Sequence, residues 1–202
     1  MQLVNTETRY GALPQALHWA TVICVAAGWL LGQFMDAFPK GVARDSAFAI
    51  HIALGELVLA LLAARLLWRL ANRPPPLLPT RFGPTGEIAA ALGHYALYAL
   101  RLAVPIVGIV AQLKRGNALP IFGVWHLASP WPADRAAAHS VMEVHELLAN
   151  ALLVFAALHA AAALIHHYVF HDRTLARMLP SGGWMGARTI VRVDGALALE
   201  HL

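Results

Sequence analysis

The chain has 202 residues, of which 59% are hydrophobic and 13% charged, with a net charge of +4 at pH 7. A soluble domain runs about 45–50% apolar and about 25% charged, so a conventional soluble globule is excluded, as is a disordered chain poor in apolar residues. Cys24 is the only cysteine, which excludes a disulfide scaffold, and the 11 histidines equal Asp and Glu combined.

About 20 mostly apolar residues cross the roughly 30 Å of a bilayer's hydrocarbon, and four stretches meet that length: 16–35, 47–67, 88–113 and 144–170. The first is too long for the apolar core of a signal peptide, about 7–15 residues, and it carries His18. The break over 36–45 holds Pro39, Gly41 and four charges. The break over 72–86 holds Pro74, Pro75, Pro76, Pro79 and Pro84, which no helix interior tolerates. The third connection, 114–135, sets Pro120, Pro130 and Pro132 beside Trp125 and Trp131, a composition suited to a loop lying in the membrane interface. The fourth apolar pattern begins near Asp134, so its helix is expected to project above the membrane.

With the N-terminus inside, the inner side collects Arg9, Arg69, Arg73, Arg81, Arg173, Arg177, Arg188 and Arg192. The outer side collects Lys40, Arg44, Lys114, Arg115 and Arg135. Eight against five is a modest inward bias of the kind that sets orientation. An even number of spans puts both termini on that side.

Ionisable side chains within a membrane are expensive and are functional candidates. His18 and His94, near the starts of outward-running spans, belong to the inner level, whereas His51 starts the inward-running second span and belongs to the outer. The fourth span carries His145 near its outer start and His159 further in. Fourteen residues apart, these are separated by about 21 Å of rise and return to within about 40° of one face. His145 is thus level with His51, and His159 with His18 or His94. A single intramembrane histidine is ordinarily a packing residue. Two depth-matched pairs point instead to two b-type haems, each iron held between imidazoles of different helices. No Cys-x-x-Cys-His is present for covalent attachment. With both axial positions filled, electron transfer is the expected chemistry. A metal or proton transporter would mix in carboxylates or thiolates, and the only acidic residue deep in the second span is Glu56, about 140° round from His51. It reads as a local hydrogen-bonding or proton-path residue.

These residues resemble the prokaryotic cytochrome b561 family. The likeness runs through 9–19, ending in Leu17, His18 and Trp19, then Ile50, His51 and Gly55, and Arg65 to Arg69. Its most specific part is Val144, His145 and Glu146, followed by the run from Leu158 and His159 through His166, His167 and Tyr168 to Asp172, Thr174, Leu175, Arg177, Met178, Leu179 and Pro180. This last part resembles the superoxide oxidase branch. The resemblance implies an all-α integral membrane four-helix bundle with two haem b groups. His18 and His159 would be the inner metal ligands, in preference to His94, and His51 and His145 the outer ones. The chain accordingly divides into a cytoplasmic N-terminal segment (1–15), a dihaem domain (16–180) and a cytoplasmic tail (181–202); the resemblance ends at Pro180, and the last four residues of the tail read as an artificial remnant. It further implies a bacterial inner membrane location, superoxide as donor and ubiquinone as acceptor. Nothing points to nucleic acid or to an obligate protein partner.

Within that frame, Arg65 lies 14 residues after His51, a candidate for a haem propionate or a quinone at the inner level, or a side chain snorkelling to the interface. Arg101 needs a partner for its charge. His166 lies within about 20° of the His159 face and is a candidate quinone ligand and proton donor, with helix capping the alternative; for His167 capping is the better reading. Lys114 and Arg115 open the third connection, facing Lys40 and Arg44, and a basic mouth there would concentrate the superoxide anion. The rival function is an electron-relay subunit between quinol and a dehydrogenase or hydrogenase, which would dock through Phe122, Trp125 and Trp131.

Overall fold

In the computed structural model the described residues are 2–76 and 82–179, together with two short strands, Arg192–Val193 and Ala196–Leu197. Arg81, Pro180, Arg188 and the last four residues lie outside them. Four helices are long and apolar enough to cross a membrane: α1 Ala12–Gln33, α2 Val42–Ala71, α3 Gly83–Lys114 and α4 Arg135–Tyr168.

Each begins or ends where local chemistry dictates, and each is wider than its apolar run. Helix α1 starts four residues before the apolar stretch, with Pro14 in its first turn, where the missing N–H costs nothing. Pro84 does the same for α3; the proline cluster of the second connection therefore stops short of it. Asp134 caps α4, its side chain accepting the Ala137 N–H at 2.9 Å, which satisfies one of the orphan donors of a helix start. At 30, 32 and 34 residues and about 1.5 Å per residue, α2, α3 and α4 all exceed the hydrocarbon thickness and project from it.

Helix α1 packs along α2, α3 packs along α4, and α2 joins α3, whereas α1 and α4 meet at few points. Small residues bring the backbones together: Gly28 faces Leu54, and Gly55 faces Pro105. The buried apolar side chains, among them Ala47, Val58, Leu62, Ala111 and Leu152, lie on the inward faces; Ile23, Leu67, Leu92 and Leu158 point outward, as expected where the solvent is lipid.

The connections are more ordered than their composition suggests. The first is closed by Arg44, which pairs with Asp36 at 3.2 Å and donates to the Phe38 carbonyl. In the third, Leu119–Ile121 (β1) and Trp125–Leu127 (β2) form an antiparallel hairpin that the sequence reading treated as an irregular loop. At the opposite end, Arg9 donates to Leu179 O at 2.6 Å and Trp19 to Met178 O at 2.9 Å. The two ends of the helical region thus sit side by side, and that end is called inner below.

Candidate functional site

The α4 histidines face histidines of two other helices, at two depths. At the outer level His51 and His145 have ring centroids 6.1 Å apart. Nδ1 of His51 lies 2.9 Å from the Gly28 carbonyl, and Nδ1 of His145 lies 2.9 Å from that of Val104. A carbonyl can only accept, so each Nδ1 carries the proton and each Nε2 is left with its lone pair. This is how metal-binding imidazoles are held. Neither His51 nor His145 has room behind it: a Cβ on Gly32 would lie 3.1 Å from His51 Cε1, and one on Gly108 would lie 2.9 Å from His145 Cε1.

At the inner level His18 and His159 have centroids 6.4 Å apart, while His94 sits 5.2 Å from His159. Two metal–nitrogen bonds of about 2 Å, plus the half-widths of two five-membered rings, set imidazole centroids about 6 Å apart across an iron. Both His51–His145 and His18–His159 fit this span. His94–His159 is too short for it, and His94 Nδ1 turns back to the Ala90 carbonyl of its own helix at 2.7 Å. His94 therefore packs against the inner pair. Trp29 of α1 and Asn150 of α4 share a hydrogen bond of 2.9 Å, a link between the two helices that carry the inner pair.

Arg65 donates Nε–H to the Tyr98 hydroxyl at 3.1 Å, and its Nη1 is buried without a partner. It is held inside the bundle and does not snorkel to the interface. A buried, unsatisfied guanidinium nitrogen suits the carboxylate that haem carries. Arg101, whose partner the sequence left open, donates to Leu97 O at 3.2 Å and lies 4.5 Å over the Tyr98 ring. Tyr98 was missed by the sequence reading, although its place four residues after His94 and three before Arg101 puts it on their face.

His166 lies at the end of α4 and donates from Nδ1 to Asp172 Oδ2 at 2.5 Å. Asp172 also accepts the Thr174 N–H at 2.8 Å. Burial pushes the Asp172 carboxyl up, but the bonds from Thr174 and His166 outweigh it and hold the group below its ordinary value of 3.8. The chain folds back after Tyr168 with His171 at φ 54, and this reversal brings an acid to a histidine six residues earlier. Among the described residues His167 has no such partner, and its Nδ1 is buried and unpaired.

On the outer side Lys114 lies 4.7 Å over the Trp131 ring, so that tryptophan covers a cation. Arg115 and Lys40 are exposed. Arg44 is committed to Asp36 and is not a free member of the basic mouth. Phe122 and Trp125 remain exposed at the hairpin tip. Glu56 accepts the Phe122 N–H on Oε2 at 2.7 Å, and its Oε1 is buried without a partner among the described residues.

The description "prokaryotic cytochrome b561" belongs to the family model that matches residues 9–181. Cytochrome b561 homolog 2 of Escherichia coli is 33% identical over 89% of this chain and 95% of its own length. The probable superoxide oxidase CybB of Yersinia pestis is 33% identical over 85% of this chain and 96% of its own. Cytochrome b562 of Cereibacter sphaeroides is 30% identical over 87% and 98%. The chain belongs to the prokaryotic cytochrome b561 family, which implies a multi-pass membrane protein that carries haem b.

Proposed function

We propose that this cytochrome is a superoxide:ubiquinone oxidoreductase of the bacterial inner membrane, with two haem b groups and both termini in the cytoplasm. One observation carries the reading: α4 presents His145 and His159 at two depths, each facing an imidazole of another helix at 6.1 and 6.4 Å. The likeness to a probable superoxide oxidase supports the choice of donor. The inward bias of basic residues supports the orientation.

Haem held between two imidazoles would supply one-electron transfer in place of oxygen binding. His51 and His145 would hold the outer group and His18 and His159 the inner one. The carbonyls of Gly28 and Val104 fix the outer rings with Nε2 presented. Lys114 and Arg115 attract superoxide to the outer end, an effect that weakens with salt. At the inner end His166, its Nδ1 committed to Asp172, presents Nε2 to a quinone oxygen, and the carboxylate fixes the ring's orientation. Arg65 is an inner anion-binding residue. In the net reaction two superoxide ions, ubiquinone and two protons give two oxygen molecules and ubiquinol.

The test is to mix purified protein with a superoxide source and a soluble ubiquinone, without any partner protein. Quinol formation at a rate that falls with ionic strength is expected, and His51→Ala should abolish it while one haem remains bound. No turnover without a partner would replace this reading with the electron-relay one. A preparation without haem absorption would remove both.

A further inference from the structure

We propose that Arg65, Arg69 and Arg101, gathered on Tyr98, form a carboxylate site whose occupant is a propionate of the porphyrin held by His18 and His159. The proposal rests on the haem reading above and adds a partner for a cluster that reading leaves mostly unused.

The cluster spans α2 and α3. Arg65 Nε and Arg69 Nη1 each donate to the Tyr98 hydroxyl at 3.1 Å, and the Arg101 guanidinium lies 4.5 Å over the face of the same ring. Guanidinium does not deprotonate in proteins, so three full positive charges meet at one phenol. Among the described residues no carboxylate answers them: the ion pairs there are Arg44–Asp36, His139–Glu143 and His166–Asp172. Uncompensated charge in a membrane interior is expensive, and like charges this close repel, so the arrangement calls for an anion. Three further features say where that anion sits. Arg65 Nη1 is buried with nothing to donate to. The Tyr98 hydroxyl receives two donors and gives its own hydrogen to no acceptor among the described residues. Tyr98 lies about one turn after His94 on α3, and His94 sits 5.2 Å from His159, so the free donors lie near the level of the inner histidine pair. A planar guanidinium matches a carboxylate through two parallel bonds, and a propionate is the carboxylate that a porphyrin at this level brings. Arg69, the exposed member, closes the site toward the inner surface.

The experiment uses the holoprotein with haem labelled by carbon-13 at its propionate carboxyls. Redox-difference infrared spectra and separate midpoint titrations of the two haems are recorded for wild type, Arg65→Gln, Arg101→Gln, Arg101→Lys and Tyr98→Phe. Loss of either arginine should shift labelled carboxylate bands and move the inner midpoint to a more negative potential, because a cation near the iron is gone; the outer midpoint should stay. Arg101→Lys should restore most of the potential but not the band position, since an ammonium cannot form the paired bonds. Tyr98→Phe keeps every charge and should shift the bands with little change in potential. Unchanged labelled bands in all four variants would overturn the proposal; loss of a co-purifying anionic phospholipid in their place would assign the site to a headgroup phosphate. A wild type that binds no haem removes the underlying reading, whereas a coloured wild type whose bands ignore the substitutions removes the carboxylate site alone.

Discussion

At Gly108 a single hydrogen atom is what lets His145 stand upright. A methyl group there would lie 2.9 Å from the Cε1 and 3.0 Å from the Nδ1 of the imidazole, closer than carbon atoms pack. Gly108→Ala must therefore tilt His145 away from the Val104 carbonyl, and on the two-haem reading proposed above one haem should be lost and the other kept; Gly32→Ala, at 3.1 Å from His51 Cε1, should do so more mildly. Haem per chain from the absorption spectrum measures both, and an unaltered Gly108→Ala spectrum would mean the ring is free to move. Asp172 gives a second case. Its folded-state value lies below the ordinary one of 3.8, so the ionised form is the one the fold stabilises. That contribution is complete at neutral pH and is lost as pH falls through the depressed value. Asp172→Asn should flatten the acid limb of the melting-temperature profile in detergent and weaken quinone reduction, with haem content unchanged. An acid limb identical to that of wild type would show that the His166–Asp172 bond contributes nothing to stability.

Elements were legible in proportion to how far their physics is local. The four spans follow from apolar length, and the early start of the fourth near Asp134 from its apolar pattern; the other helix starts did not, because Pro84, counted in the break over 72–86, serves as a first-turn residue in place, as Pro14 does ahead of the first apolar stretch. The hairpin over 119–127 was not legible at all. Its strands are three residues each, too short for an alternating pattern, and what fixes it is remote: Glu56, buried in α2, accepts the N–H of Phe122, whose φ of 46 is a left-handed conformation that non-glycine residues rarely adopt. Removing a buried acceptor leaves the donor unsatisfied at a cost of about 1–3 kcal/mol. Glu56→Ala should thus speed hydrogen exchange of the Phe122 amide and of the β1–β2 ladder, while Glu56→Gln, which keeps an acceptor oxygen, should exchange nearly as slowly as wild type. Equal exchange in Glu56→Ala would show that the hairpin holds itself.

For the whole molecule, the depth of each histidine could be counted along its own helix, and those counts brought His51 level with His145 and His18 level with His159. The choice between His18 and His94 could not be counted, since it turns on a separation of 6.4 against 5.2 Å set by how helices lean. Nor could the inner closure, which depends on one side chain reaching two other segments of the chain. Arg177 donates Nε to Thr8 O at 2.9 Å, Nη1 to Pro76 O at 3.0 Å and Nη2 to Glu7 O at 3.4 Å. It ties the N-terminal segment, the second connection and the fold-back after α4 into one plate beneath the inner histidines. These bonds are exposed, so each lies toward the low end of the about 1.5–3 kcal/mol assigned to hydrogen bonds with charged groups. Arg177→Ala should lower the melting temperature in detergent and open the N-terminal segment to protease, leaving the haem absorption spectrum as it was. Arg177→Lys, with no rigid fork to span three acceptors, should recover little of either. Should the N-terminal segment stay resistant in Arg177→Ala, the plate is held by Arg9 and Trp19 through their bonds to Leu179 and Met178, and Arg177 merely rests on it.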